Sequence, residues 1–179
     1  MSIYQFLKFE PILKEKIWGG EKLTSLLHKK SGLKNIGESW EISGVKEAIS
    51  VVANKKLKGS LLNRLIAKYK STLLGDKVFK QFGNDFPLLI KFLDAKKALS
   101  IQVHPNDDLA KKRHQSFGKN EMWYVLQADK DANLIIGNNT GPNNGCNVKE
   151  LIYDKKILAA KTKAAKLKMS ATKTKGLAL

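Results

Sequence analysis

Ala98-Leu-Ser-Ile-Gln-Val-His-Pro105 is the stretch on which the reading of this 179-residue chain turns. Residues 99–104 have the composition of a β-strand, and Gln102 and His104 stand two apart in it. On a strand that spacing directs both side chains to one face, so two ligand-type groups project into one space. Pro105 ends the strand just beyond the imidazole and limits its freedom. Seventeen residues further on, Glu121 opens Lys119-Asn-Glu-Met-Trp-Tyr-Val125, a strand whose remaining residues are hydrophobic. An adjacent antiparallel strand can place this glutamate opposite Gln102 and His104. Imidazole nitrogen with amide and carboxylate oxygens suits zinc or another divalent first-row metal. The spacing alone leaves a second explanation open: a hydrogen-bonded strand histidine and a surface glutamate.

Outward from this stretch, residues 1–139 read as one folded unit. Short β-branched and aromatic runs predict strands at 39–43, 49–53, 88–93, 99–104, 122–127 and 133–136. Ser60, the stripe Leu62, Leu65, Ile66, Tyr69 and Leu73, and then Gly75 predict a helix with its cap and its stop. A shorter helix is expected from Asp107 to Arg113, capped by Asn106, with acids first and bases last as the helix dipole favours. The fold class is therefore mainly β with helical insertions. Residues 140–179 differ: loop-type Asn and Gly, then Lys/Thr/Ala-rich text with almost nothing to bury, predict a poorly packed tail.

Charge and composition narrow the function. The chain carries 33 Lys and Arg against 16 Asp and Glu, net +17, but the only arginines are Arg64 and Arg113. Arginine reads base edges bidentately, so its scarcity argues against a specific nucleic-acid reader. No apolar run approaches the roughly 18–20 residues needed to span a bilayer, and the start of the chain lacks the pattern of a secretory signal. A cytoplasmic protein without membrane partners is expected. The single cysteine, Cys146, offers neither a disulfide nor a Cys-rich zinc pattern. His28 and His114 sit in polar surroundings, and there is no glycine-rich phosphate loop.

Phe86-Pro-Leu-Leu-Ile-Lys-Phe-Leu-Asp-Ala95, Leu99-Ser-Ile-Gln-Val-His-Pro105 and Lys119-Asn-Glu-Met-Trp-Tyr-Val125, together with Lys16-Ile-Trp-Gly-Gly20 and Gly37-Glu-Ser-Trp-Glu-Ile-Ser-Gly44, resemble the motifs of the type I mannose-6-phosphate isomerases. These phosphomannose isomerases are zinc enzymes with a cupin fold, a jelly-roll-like β-barrel. The resemblance runs from about residue 3 to 139 and implies a partial cupin there. It implies interconversion of the sugar phosphates mannose 6-phosphate and fructose 6-phosphate, by proton movement between C1 and C2 through an enediol. It also implies zinc ligation by Gln102, His104 and Glu121 and a catalytic pocket role for Lys119. Trp18 and Lys97 are further substrate-binding candidates, which core packing and surface solvation explain equally well.

The resemblance fades after Ile136-Gly-Asn138. Family members continue with a later ligand histidine and a pocket arginine, whereas here no histidine follows His114 and no arginine follows Arg113. A truncated or frameshifted family member, impaired or inactive, is the expectation. The alternative is a non-catalytic basic binding protein, a partial cupin whose tail holds polyanions.

Overall fold

The computed structural model describes residues 6–100, 102–103, 105–115, 118–119, 121–130, 132, 134–140, 146–151, 157–160, 168–170 and 176–178. Along the chain run β1 (Ile12–Gly20), α1 (Lys22–Ser25), β2 (Ile36–Ser43), α2 (Leu62–Tyr69), α3 (Ser71–Leu74), α4 (Asp76–Phe82), β3 (Leu89–Ala95) and β4 (Gln102–Val103). There follow α5 (Asp107–His114), β5 (Glu121–Ala128), β6 (Leu134–Thr140), β7 (Cys146–Leu151), β8 (Ile157–Ala160), β9 (Lys168–Ser170) and β10 (Gly176–Ala178). Strands predominate and the helices lie between them, as the composition implied. The chain forms two units, Met1–Lys14 with Glu38–Phe92 and Glu15–Gly37 with Leu93–Leu179.

In the first unit the apolar stripe of α2 buries Leu62, Leu65 and Ile66 with Val52. The helix expected to reach Gly75 breaks at Lys70, where φ is 50°. Lys70 N–H still closes α2 on the Ile66 carbonyl at 2.7 Å, and its own carbonyl then accepts Leu73 and Leu74 N–H. Nothing in α3 is buried, so no packing face holds the continuing turn on the α2 axis. The expected Ser60 cap is also absent: Leu61 stands at the N-cap without a side-chain bond. Instead of a strand at 49–53, two isolated bridges form, Phe9 with Val52 and Val51 with Leu61. Ser50 is committed elsewhere, exchanging bonds with Ser43 through its hydroxyl at 2.8 Å and its N–H at 2.9 Å.

The second unit holds two antiparallel sheets. In one, Gly19 pairs with Ala95, β10 lies between β3 and β5, and β8 flanks β5 from Glu121↔Ala160 to Tyr124↔Ile157. The other is ordered β4-β9-β6-β7, with Gln102↔Met169 and Ile136↔Met169. Leu23, Ile36, Leu93, Ala95, Ala110 and Ala132 form the buried apolar set. The helix after Asn106 forms as expected, the Asn106 side chain accepting Leu109 N–H at 3.0 Å. Of residues 140–179, the described stretches add short strands to both sheets through main-chain pairing.

Candidate functional site

Residue alternation explains why a glutamate opens the apolar strand β5. Met122 and Tyr124 point outward, 65% and 41% exposed, while Glu121, Trp123 and Val125 share the covered face. The Glu121 side chain is only 15% exposed, and Lys119 Nζ stands 2.9 Å from its Oε1. Lys119 stands two residues before the start of β5, and the ion pair joins it to the first residue of the strand. A mostly dehydrated carboxylate with an ammonium beside it is an anionic oxygen donor suited to a borderline or hard divalent ion.

Gln102 lies in β4, which pairs with β9. β5 pairs with β10 and β8. The two strands belong to different sheets, so Glu121 is not placed opposite Gln102 by an adjacent strand as anticipated. Of the strand expected at 99–104, Leu99 and Ser100 lie outside β4, following the bend at residues 96–97. His104 lies outside the described residues, as does the side chain of Gln102. Among the described residues no group of three His, Cys, Asp or Glu gathers.

Trp18 and Lys97 are brought together through the main chain. The Trp18 carbonyl accepts Lys96 N–H at 2.9 Å and Lys97 N–H at 3.1 Å. Two consecutive amides committed to one oxygen bend the chain at residues 96–97, which holds Ala98 to Ser100 out of the ladder. Lys97 is exposed and Trp18 half-covered. Beside Trp18, Gly37 admits large neighbours: a β-carbon there would sit 2.6 Å from Lys16 Cβ and from Trp18 Cζ3.

Two acidic residues escaped the sequence reading. Asp94 is 2% exposed and accepts Lys22 N–H at 2.6 Å. Burial pushes its pKa above the ordinary 3.8, opposed by the Lys22 and Leu23 amides and by the charges of Lys22 and Lys96. Glu38 accepts Trp40 Nε1–H at 2.7 Å and faces Lys91 Nζ at 3.2 Å, with Lys14 Nζ 5.1 Å above the Trp40 ring. The available signal was the one that drew attention to Glu121, an acid inside an apolar run: Asp94 stands in Phe92-Leu-Asp-Ala95.

The catalytic domain of type I phosphomannose isomerase matches residues 6–136. Mannose-6-phosphate isomerase ManA of Bacillus subtilis (strain 168) is 38% identical over 135 residues, 74% of this chain and 41% of that protein. Mannose-6-phosphate isomerase of Streptococcus mutans is 39% identical over 127 residues, 69% of this chain and 37% of that protein. The crystal structure of the mannose 6-phosphate isomerase from Bacillus subtilis superposes with a TM-score of 0.80 at 28% identity, covering 96% of this chain and 56% of that one. The matches thus span about two fifths of the curated relatives' length, and the shared fold is the partial cupin that the motifs implied. With the match running through every motif from Lys16-Ile-Trp-Gly-Gly20 to Lys119-Asn-Glu-Met-Trp-Tyr-Val125, the chain belongs to the type I phosphomannose isomerase family.

Proposed function

We propose that this chain carries the metal-side and sugar-side residues of a mannose-6-phosphate isomerase site, interconverting mannose 6-phosphate and fructose 6-phosphate through an enediol in the cytoplasm. The observation that carries this reading is Glu121, an expected ligand on the covered face of β5 with the expected pocket lysine, Lys119, at 2.9 Å. Gln102, His104 and Glu121 would hold a zinc ion, which when bound supplies Lewis acidity toward the sugar carbonyl. Lys119 presents positive charge where negative charge develops on the sugar oxygens. Lys97 offers a second cation for the phosphate, and Trp18 an apolar wall, the two kept adjacent by the Trp18 carbonyl.

The same reading holds that this 179-residue chain by itself turns over at no more than trace rates. Its three histidines end at His114, and its match covers 41% of the ManA chain. A misplacement of about 1 Å among reacting groups can already cost roughly a hundredfold in rate. The test is fructose 6-phosphate formation from mannose 6-phosphate in a dehydrogenase-coupled assay with added zinc, alongside calorimetric zinc titration of the chain and of Glu121→Gln. Weak zinc binding lost in the variant, with trace turnover, is expected. Zinc-dependent turnover in the ordinary range of about 1–1000 s⁻¹ would overturn the impairment, and unchanged zinc affinity in Glu121→Gln would overturn the ligand assignment.

A further inference from the structure

A carboxylate inside an apolar strand must be held by something that offsets its dehydration, and Asp94 is held by the stretch that carries Trp18. We propose that Asp94 is a positioning residue that clamps Trp18 and Lys97 into one substrate-side corner, a reading that rests on the function proposed above. Its carboxylate accepts the Lys22 N–H at 2.6 Å, which pins the start of α1 directly after β1, and the Leu23 amide beside it favours the charged form. Gly20 is where the carboxylate presses on the turn: a β-carbon there would lie 2.5 Å from Oδ2 and 2.7 Å from Oδ1. Next along β3, Ala95 pairs with Gly19, and Lys96 and Lys97 then donate to the Trp18 carbonyl.

Three successive ties therefore join residues 18–23 to residues 94–97, and the Asp94 carboxylate is the strongest because its acceptor is charged. The facing cations are Lys22 and Lys96, and Lys22 Nζ is itself 3.1 Å from Asp129. Capping α1 alone is a poor account of this burial. The helix has four residues, whereas the ties extend past it to the main chain of Lys97.

The test uses the full chain with Asp94→Asn, which keeps the shape and one acceptor oxygen but removes the charge and the second acceptor. Amide hydrogen exchange at Lys96 and Lys97 should quicken roughly tenfold or more, with β2 amides at Glu38 to Ser43 unchanged as a control on global stability. Mannose 6-phosphate affinity, read by tryptophan fluorescence, should fall by roughly tenfold while zinc affinity stays within about twofold. Gly20→Ala, which drives a β-carbon into an intact carboxylate, should reproduce both effects and carries the test if Asp94→Asn does not fold. Lys22→Ala, which retains the main-chain donor, should not. Unchanged exchange at Lys96 and Lys97, or sugar-phosphate and zinc affinities falling together, overturns the proposal. Should the unaltered chain bind no mannose 6-phosphate, it is the proposed function that fails. Exchange at Lys96 and Lys97 in the variants then still decides whether Asp94 holds the corner.

Discussion

Replacing Gly19 with alanine should cost this chain about 2–4 kcal/mol of stability, and the sum can be worked from its neighbours. A β-carbon at position 19 would collide with the Asn35 carbonyl oxygen and lie 2.6 Å from the Gly37 nitrogen and 2.7 Å from the Asn35 carbonyl carbon. All three are main-chain atoms, so no rotamer change relieves the overlap. Overpacking of this kind costs about 1–3 kcal/mol. The Asn35 oxygen also accepts Lys16 N–H at 3.1 Å, and displacing it forfeits a hydrogen bond of about 1 kcal/mol. Against a typical total stability of about 5–15 kcal/mol the loss is large. Urea unfolding followed by tryptophan fluorescence measures it. With a slope of about 2 kcal/mol per molar the midpoint should fall by about 1–2 M. Gly32→Ala is the matched control, because a β-carbon there meets nothing within 4 Å. A Gly19→Ala midpoint indistinguishable from that of Gly32→Ala would refute the close-approach account of the Trp-Gly-Gly motif.

Asp94 should leave a signature in the pH dependence of stability. Its folded pKa is raised above 3.8, so between 3.8 and the raised value the folded chain binds more protons than the unfolded one. The residue's contribution is therefore full below that interval and falls as pH rises through it. Stability measured across acid pH should accordingly favour the unaltered chain over Asp94→Asn less as pH increases through the window; a difference that grows with pH would contradict the burial-driven shift. Asn106→Ala should lose about 1 kcal/mol and speed exchange at the Leu109 amide, since the Asn106 side chain caps it at 3.0 Å. Limited proteolysis should cut within residues 140–179 before it cuts β2, because that stretch offers few large apolar side chains to offset about 1–2 kcal/mol of ordering entropy per residue; equal resistance would show the tail to be well packed.

Local chemistry made part of this protein legible from its residues alone. Asn106 with its acid-first, base-last helix needed only short-range capping and charge, and that helix formed. The β5 run followed from its aromatic and β-branched residues, whereas the covered face that Glu121 shares with Trp123 and Val125 came only from the structure, because the run is apolar on both faces. The motifs themselves were sufficient for the family. β1 was not legible, because its side chains invert the usual rule: Lys14, Lys16 and Trp18 lie on the more covered face while Ile17 is 91% exposed. Only neighbours distant in sequence, such as Gly37 against Lys16 and Trp18, make that arrangement tolerable. The break at Lys70 was equally hidden, since a continuous apolar stripe does not reveal that no residue of α3 becomes fully buried. Strand neighbours could not be read either: main-chain hydrogen bonds carry no side-chain signature, so the separation of β4 and β5 into different sheets was decided by the tertiary structure. The corner at Asp94 belongs to the same class, for a carboxylate can be buried only where amides from elsewhere in the chain are folded against it.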